Sequence, residues 1–302
     1  MRKSILFVAL FISISLYPAL AQDAAPVDSA AGQTLADTAW TTEFSAGLNF
    51  NQAAFSGNWK NGGINSVAFG SIIAGKANYA KDRLTWDNEM ELLFGIVSNE
   101  GERSRKSNDR IFLDTKVGYK MSGNWSTYFS LNFLSQFAKG YNYENDSSTL
   151  ISNFLAPGYL TSSLGFEYKP NQEFALRLSP FSPRFTFVTD RNLYLTVPEN
   201  YGVPIGKSVR TEWLALQLYA TWDKNLTENL NLKSRYQLFA NYETLDWKTI
   251  DHRLDITLTA KITNLINVTL TSINLYDIDQ DPGIQYSQTL ALGILYKVSN
   301  KN

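Results

Sequence analysis

Hydrophobic and polar residues alternate along the chain from Trp40 onward. Around Glu91, for example, the apolar Met90 and Leu92 flank an acid, and similar alternation recurs in about twelve segments. Because successive side chains of a β-strand point to opposite faces of the sheet, this period of two predicts strands. Most segments are about 9–14 residues long, whereas strands of soluble proteins centre on roughly five or six residues and a tilted strand needs about 9–11 to cross a bilayer. The pattern therefore favours strands that cross a membrane.

The second face of these segments is polar and carries charges of both signs. We expect ten of these residues to line a barrel lumen: Asp87, Glu89, Glu91, Arg110, Asp114, Lys116, Lys233, Arg235, Asp255 and Lys261. They could brace the interior as a network of ion pairs, or they could line a narrow hydrated path. Side chains fill a barrel of about eight strands and about sixteen strands leave a channel, so a barrel of about twelve leaves both interpretations open.

Short and long linkers alternate along the segments. The short ones are Asn78–Asp82, Ser122–Asn124, Pro170–Asn171, Asp223–Glu228 and Thr263–Asn264. The long ones are Asn51–Gly63, Ser98–Asp109, Lys139–Pro157, Asp190–Ser208, Thr244–Asp251 and Asp277–Ile284. Outer-membrane barrels have short periplasmic turns and longer outer loops. The sequence thus predicts an all-β fold, a transmembrane antiparallel up-and-down β-barrel of about twelve strands over residues 40–298, with both termini in the periplasm.

Aromatic residues recur where the outward faces reach their predicted periplasmic ends. Six of them are Tyr119, Trp125, Tyr168, Phe174, Trp222 and Tyr296. Because amphipathic rings favour the headgroup level of a bilayer, their common placement predicts an aromatic girdle.

One segment breaks the alternation. After Leu178 the apolar positions change parity across Pro180–Pro183. Since proline cannot donate to the hydrogen-bond ladder of a sheet, we predict a bulge or a local break there. A bulge without a function is favoured over an opening through which a lipid tail passes sideways.

The N-terminus has the three parts of a secretory signal peptide. Arg2 and Lys3 precede an apolar run, and an A-x-A pattern ends at Ala21. We expect residues 1–21 to be cleaved as a signal peptide. Residues 22–39 lack a hydrophobic period, so we expect them to form a disordered periplasmic lead-in.

Composition removes several functional classes. The net charge of −1 provides no field that would gather nucleic acid. The chain has no cysteine and a single histidine, so thiolate sites and His-ligated zinc sites are implausible. Charged residues make up 18 % and aromatic residues 14 % of the chain, which suits a barrel and also a soluble β-protein. We therefore expect no cofactor, no bound metal and no nucleic-acid partner.

The remaining polar residues give weak signals for chemistry. His252 lies beside Asp251, but no nucleophile motif such as G-x-S-x-G accompanies it, so we assign no catalytic residue. The acidic stretch Asp277–Asp281 lacks the glycine and the terminal glutamate of an EF-hand loop. We expect it to be a solvated loop tip rather than a calcium site.

The first long linker carries a specific motif. Residues 48–66 read LNFNQAAFSGNWKNGGINS, and the residues that shape this stretch are Asn49, Asn51, Gln52, Asn58, Trp59, Gly62, Gly63 and Asn65. It resembles the signature of a family of exported Bacteroidetes proteins described only as a domain of unknown function. The resemblance implies an outer-membrane-type β-barrel and no established activity. We expect the loop to fold inward with Trp59 packed against the barrel wall; the alternative is a recognition loop for a glycan or a partner protein.

Together these features predict a non-enzymatic integral outer-membrane protein. It would be either a small-solute channel or a scaffold in an envelope complex, with outer-membrane lipid and envelope proteins as its partners. Two alternatives remain, an outer-membrane lipid-modifying enzyme and a soluble periplasmic β-protein.

Overall fold

The computed structural model describes residues 39–300, apart from residues 57, 59, 61–62, 145–146 and 198 and the side chain of Glu144. The expected signal peptide and all but the last residue of the expected lead-in lie outside the described residues, as do Trp59 and Gly62 of the motif. Within the described part of the chain, no helix is both long and apolar enough to cross a membrane.

The described residues form sixteen strands and three short 3₁₀ helices. In chain order the strands are β1 (Trp40–Ala53), β2 (Ser66–Lys81), β3 (Leu84–Asn99), β4 (Arg105–Ser122), β5 (Trp125–Ser135), β6 (Gly140–Glu144), β7 (Ser147–Ser152), β8 (Gly158–Tyr168), β9 (Phe174–Phe181), β10 (Arg184–Phe187), β11 (Val209–Glu212), β12 (Ala215–Thr227), β13 (Leu230–Asn241), β14 (Asp251–Lys261), β15 (Ile266–Asp277) and β16 (Asp281–Ser299). The 3₁₀ helices are Leu193–Leu195, Asn200–Gly202 and Trp247–Thr249.

Twelve of these strands close into an antiparallel barrel. Each pairs with its neighbour in the order β1, β2, β3, β4, β5, β8, β9, β12, β13, β14, β15 and β16. The ring closes because β16 pairs with β1, in a register that places Phe44 opposite Val298 and Leu48 opposite Ile294. The remaining strands lie outside this ring: β6 and β7 form a separate hairpin, while β10 and β11 extend the wall from the edge of β8. The predicted fold class and strand number are confirmed.

The outer surface of the barrel is apolar because alternate residues of each strand point away from the lumen. On β16, Leu292, Ile294 and Tyr296 are 52 %, 59 % and 58 % exposed. A continuous apolar surface of this kind is unfavourable in water and favourable against lipid tails. Of the predicted girdle, Trp125 and Tyr168 pack against each other with ring centroids 5.0 Å apart.

The two ends of the barrel differ. We call the end that holds the start of β1, the end of β16 and the turns 82–83, 123–124, 169–173, 228–229 and 262–265 the turn end. The opposite end, with residues 54–65, 100–104, 136–157, 188–208, 242–250 and 278–280, is the loop end. The prediction of a long final linker at Asp277–Ile284 was wrong, since Asp277 pairs with Asp281 and three residues make the turn. The pairing of β15 with β16 continues through polar residues at this end. The alternation of apolar residues that was used to locate strands is absent there.

The wall is interrupted where the prolines predicted a break. Leu164 pairs with Phe181 while Phe166 pairs with Leu178, so β9 carries one more residue than β8 across this step. The strand then stops at Phe181, and β10 resumes the pairing with β8. A Cβ atom on Gly165 would overlap the backbone of Leu178 and Ser179, so the bulge depends on a glycine at that position.

A small hydrophobic core lies outside the lumen, in the loops that follow β5 and β10. Its fully buried members pack with the partly buried Leu150 and Tyr201; they are Ala156, Val188, Leu193 and Val203. The Tyr201 hydroxyl donates to the carbonyl of Ile151, and burial raises the pKa of this hydroxyl to about 12. These two loops therefore fold together as one unit, which we call the cap.

Candidate functional site

The lumen is filled by paired charges. Nine of the ten residues expected to line it take part in ion pairs between strands: Asp87, Glu89, Glu91, Arg110, Asp114, Lys116, Lys233, Arg235 and Asp255. The tenth, Lys261, lies exposed at the end of β14, outside this network.

Some of these pairs join opposite walls. Glu89 on β3 accepts from Lys233 Nζ at 2.8 Å and from Arg235 Nη2 at 3.0 Å, both on β13. In the twelve-strand order β3 is third and β13 is ninth, so the two strands face each other across the barrel. Their side chains therefore span the lumen along that diameter.

Two further ion pairs also join strands on opposite sides of the barrel. Arg110 Nη1 on β4 lies 3.0 Å from Asp255 Oδ2 on β14, and Lys76 Nζ on β2 lies 3.7 Å from Asp223 Oδ2 on β12. Both pairs of strands are six positions apart in the order of twelve. With the Glu89 contacts they form a row along one direction of the lumen, which we call the cross-lumen ion pairs.

A second group of charges fills the space beside this row. Lys116 Nζ lies 2.5 Å from Glu167 and 2.9 Å from Asp87, and Arg177 Nη1 lies 2.9 Å from Asp114. Glu167 and Arg177 were missed in the sequence analysis, although each sits between apolar neighbours in a predicted strand. Strict application of the alternation would have placed both in the lumen.

Aromatic rings separate the guanidinium groups from water. Arg177 lies between the rings of Tyr128 and Tyr219, at 5.8 and 5.2 Å from their centroids. Arg235 lies 4.2 Å from the ring of Phe112. The rings attract the cations through their π faces and exclude water from the ion pairs.

Nearer the loop end, Arg184 joins three elements. Its Nε lies 2.7 Å from Glu212 on β11, and its Nη1 lies 2.6 Å from Asp251 on β14. Its guanidinium also stacks 3.7 Å from the ring centroid of Phe239. This arginine ties the short strand β10, beyond the proline break, to the opposite side of the mouth.

The turn of residues 278–280 lies across the mouth of the barrel. Asp279 Oδ2 accepts from Arg210 on β11 at 2.5 Å, and Gln280 Nε2 donates to the hydroxyl of Tyr159 on β8 at 3.1 Å. Asp277 is only 4 % exposed. The expectation of a solvated acidic tip was wrong for Asp277 and Asp279, because Gln280 bonds Asp277 within the turn and Arg210 bonds Asp279 across the mouth, whereas Asp281 is exposed. Among the described residues, no group of three or more His, Cys, Asp or Glu could hold a metal ion.

A cavity of about 200 Å³ lies between this turn and the cross-lumen ion pairs. We call it the mouth cavity. Its lining combines guanidinium groups, amides and rings, including Arg110, Gln136, Tyr159, Arg184, Gln237 and Phe239.

The single histidine lies next to this cavity but in the outward-facing register of β14, because it pairs with Leu238 while its neighbours Asp251 and Arg253 line the cavity. His252 Nδ1 lies 2.8 Å from the Tyr236 hydroxyl, and the imidazole stacks near the rings of Tyr236 and Tyr276. Its hydrogen-bond partner is therefore a phenol and not a serine, so the described residues provide no Ser-His pair at this position.

The motif loop stands outside the lumen. Asn65 Oδ1 accepts from the backbone N–H of Phe55 at 2.6 Å, and Asn65 Nδ2 donates to Glu100 in the neighbouring loop at 2.6 Å. Of the described residues between 54 and 65, all but Asn65 are exposed. The expected inward fold was wrong for this part, because the loop is anchored to its neighbour. Gly63 adopts a φ of 142° beneath the Phe55 ring.

The other motif residues divide between strand and loop. Asn49 lies in β1 opposite Gly70 and Gly293, and Asn51 and Gln52 occupy the exposed end of the same strand. Asn58 accepts from Ser56 Oγ at 2.6 Å.

The closed antiparallel wall, the apolar outer face and the charged interior define a β-barrel of the outer-membrane type. A family model described as a protein of unknown function (DUF3078) matches residues 50–141, from the end of β1 to the start of β6. This agrees with the resemblance carried by the motif of residues 48–66.

Solved structures with a similar chain path are distant in sequence. The COG4313 outer membrane channel from Pseudomonas putida F1 is 12 % identical with a TM-score of 0.39, over 90 % of this chain and 100 % of that one. The translocator domain of the autotransporter NalP from Neisseria meningitidis is 12 % identical with a TM-score of 0.35, over 88 % and 90 % of the two chains. The sequence has no significant match among curated proteins.

Proposed function

We propose that this protein is an integral outer-membrane barrel that does not conduct at rest and acts as a scaffold in an envelope complex. The apolar outer face and the expected signal peptide support the location. In this arrangement the turn end and both termini face the periplasm, and the cap faces outward.

The cross-lumen ion pairs are the observation that carries the proposal. A continuous water path would require Glu89 to separate from Lys233 and Arg235, and Arg110 to separate from Asp255. Leaving a buried charge without its partner costs about 3–5 kcal/mol. The resting lumen is therefore expected to stay closed.

Exposed apolar residues in the loops support a role in binding other proteins. In the cap, Leu195 and Ile205 are each 68 % exposed, and Trp247 in the next loop is 73 % exposed. These residues lie beyond the wall strands, so lipid contact does not account for them. Exposed apolar and aromatic side chains of this kind are typical of protein interfaces.

Planar-bilayer recording tests the closed lumen. We expect purified, folded protein to give no steady conductance at low voltage. Steady conductance of the unaltered protein would contradict the proposal.

Photo-crosslinking in cells tests the scaffold role. A photoreactive amino acid at Ile205, in the cap, should give a crosslink to an envelope protein, whereas the same group at Lys224, near the turn end, serves as the control. Equal crosslinking from both positions, or none from Ile205, would count against an interface at the cap.

A gated small-solute channel is the second candidate, and the mouth cavity favours it. A space of about 200 Å³ beside the ion pairs could admit a solute if these pairs rearranged. Proteoliposome swelling in small sugars or amino acids should then occur without steady ionic conductance. Absence of swelling would remove this candidate.

Fractionation tests the location itself. We expect the protein in the outer-membrane fraction with a heat-modifiable mobility on gels. Recovery in the aqueous fraction without detergent would favour a soluble periplasmic β-protein instead.

A further inference from the structure

The mouth cavity has the size of a binding site for one small molecule. A single buried water needs a cavity of about 10–15 Å³, so a cavity of about 200 Å³ is room for a ring-sized solute. Arg110, a member of the cross-lumen ion pairs, and Gln280, in the mouth turn, both line the cavity. A molecule bound there would be held between the cross-lumen ion pairs and the mouth turn.

Most charges around the cavity already have a partner of opposite charge, and Asp277 accepts a hydrogen bond from Gln280 at 2.8 Å. Arg184 is paired with Glu212 and Asp251. Asp109 accepts from Lys106 at 2.9 Å and from two backbone N–H groups of the loop that follows β5. A charged ligand would have to compete with these partners, whereas a neutral ligand would leave them in place.

Unfilled hydrogen-bonding capacity remains in the lining. Arg110 is more than nine-tenths buried, and its Nε has no hydrogen-bond partner among the described residues. Gln237, two residues beyond Arg235 on β13, also lines the cavity with its amide. A buried donor without a partner is costly, so a ligand that supplies an acceptor would relieve that cost.

Rings lie beside these polar groups. Tyr159 and Phe239 contribute to the same lining. A sugar carries hydroxyl groups that both donate and accept, and its C–H face packs on aromatic rings. Guanidinium and amide groups beside aromatic faces therefore match an uncharged sugar better than an ion or a purely apolar molecule.

We propose that the mouth cavity binds one neutral sugar unit, either as a free monosaccharide or as the end of a surface glycan. The site needs no change in the cross-lumen ion pairs, so it is compatible with a barrel that does not conduct. It is a function additional to the scaffold role and does not depend on it.

Saturation-transfer NMR on the purified full chain tests the proposal. The protein is folded in an amine-oxide detergent, which has no sugar headgroup, and D-glucose, maltotriose and D-glucuronate are the probes. We expect saturation of D-glucose. Saturation confined to one end unit of maltotriose would identify the end of a glycan as the ligand, and binding of D-glucose alone would identify the free sugar.

Two glutamine variants separate the cavity from general effects. Gln237→Ala should weaken D-glucose binding at least tenfold. Gln217→Ala is the matched control, because Gln217 lies in the same lumen outside the cavity lining and bonds Ser163 at 2.7 Å. Heat-modifiable mobility confirms that each variant is folded.

Three results would overturn the proposal: no saturation of either neutral sugar by folded protein, tighter binding of D-glucuronate than of D-glucose, or equal loss in both variants. If Gln237→Ala does not fold, the smaller change Gln237→Asn replaces it with the same expected direction.

Discussion

At the scale of single residues, the position of a charge decides what it contributes. Glu89 bridges two cations inside the lumen, whereas Glu173 pairs with Lys224 at the turn end at 3.4 Å, where both side chains are more than 40 % exposed. Interior pairs gain from low dielectric and lose heavily when one partner is removed, while exposed pairs contribute little.

The same change from glutamate to glutamine is therefore expected to affect stability differently at an interior and at an exposed ion pair. Glu89→Gln should lower the free energy of unfolding by about 3–5 kcal/mol, because Lys233 and Arg235 lose their shared carboxylate. Glu173→Gln, the matched control, should change it by less than about 1 kcal/mol. Urea unfolding in detergent measures both, and similar midpoints for the two variants would argue against a bracing role.

Gly165 is constrained by the backbone of the bulge. A Cβ atom there would overlap Leu178 and Ser179, whereas a Cβ on Gly75 would meet its nearest atom at 3.7 Å. Gly165→Ala should therefore reduce the yield of folded barrel, and Gly75→Ala should leave it unchanged. Refolding followed by gel mobility shows the difference; a fully folded Gly165→Ala barrel would mean that the bulge can shift.

At the scale of elements, strands and turns respond to different signals. The proline pair at Pro180–Pro183 and the parity change around it indicated the break correctly, since both are local properties of the chain. The turn 278–280 was misjudged because Asp279 is paired with Arg210 and Gln280 is hydrogen-bonded to Tyr159, and both partners lie far away in sequence. Local polarity predicted solvent exposure where tertiary contacts produced burial.

The mouth turn is expected to control access to the cavity. Because the chain has no cysteine, a single Gln237→Cys variant gives a unique thiol inside the cavity. Adding Asp279→Ala removes the contact with Arg210 and should speed labelling by a small charged thiol reagent. Asp281→Asn, which changes the same turn outside that contact, is the control. Equal labelling rates in all three backgrounds would show that the turn does not cover the cavity.

At the scale of the whole molecule, closure depends on pairs between opposite walls. Twelve strands enclose more space than eight, and here the long side chains of facing strands fill it. The rings of Phe112, Tyr128 and Tyr219 complete the filling. The interior is therefore organised as rows of paired charges separated by aromatic faces.

Removing two cross-lumen contacts together should open a path for water and ions. In Glu89→Ala combined with Arg110→Ala, Lys233 and Arg235 lose their carboxylate and Asp255 loses its partner on the opposite wall, so water should enter around them. Bilayer recordings should then show conductance that the unaltered protein and Glu173→Ala lack. A folded double variant that stays silent would show that other side chains close the lumen.

The candidate site was partly visible in the sequence. Alternation placed Asp87, Glu89 and Arg110 on an inward face, and the structure puts all three in the lumen network. The partners were not visible, because Glu89 and Lys233 are separated by 144 residues and meet only when β3 and β13 face each other. The mouth cavity was not visible at all, since it is formed by residues from several strands and a distant turn.

The sequence by itself determined the strand period, the apolar outer face, the closed antiparallel architecture and the position of the break. These follow from local chemistry, because successive residues of one strand point alternately to the lumen and to the outer surface. Only the tertiary structure decided whether the lumen is braced, where the cap packs and what covers the mouth. Those features depend on which strands lie opposite each other, and therefore on how the whole ring closes.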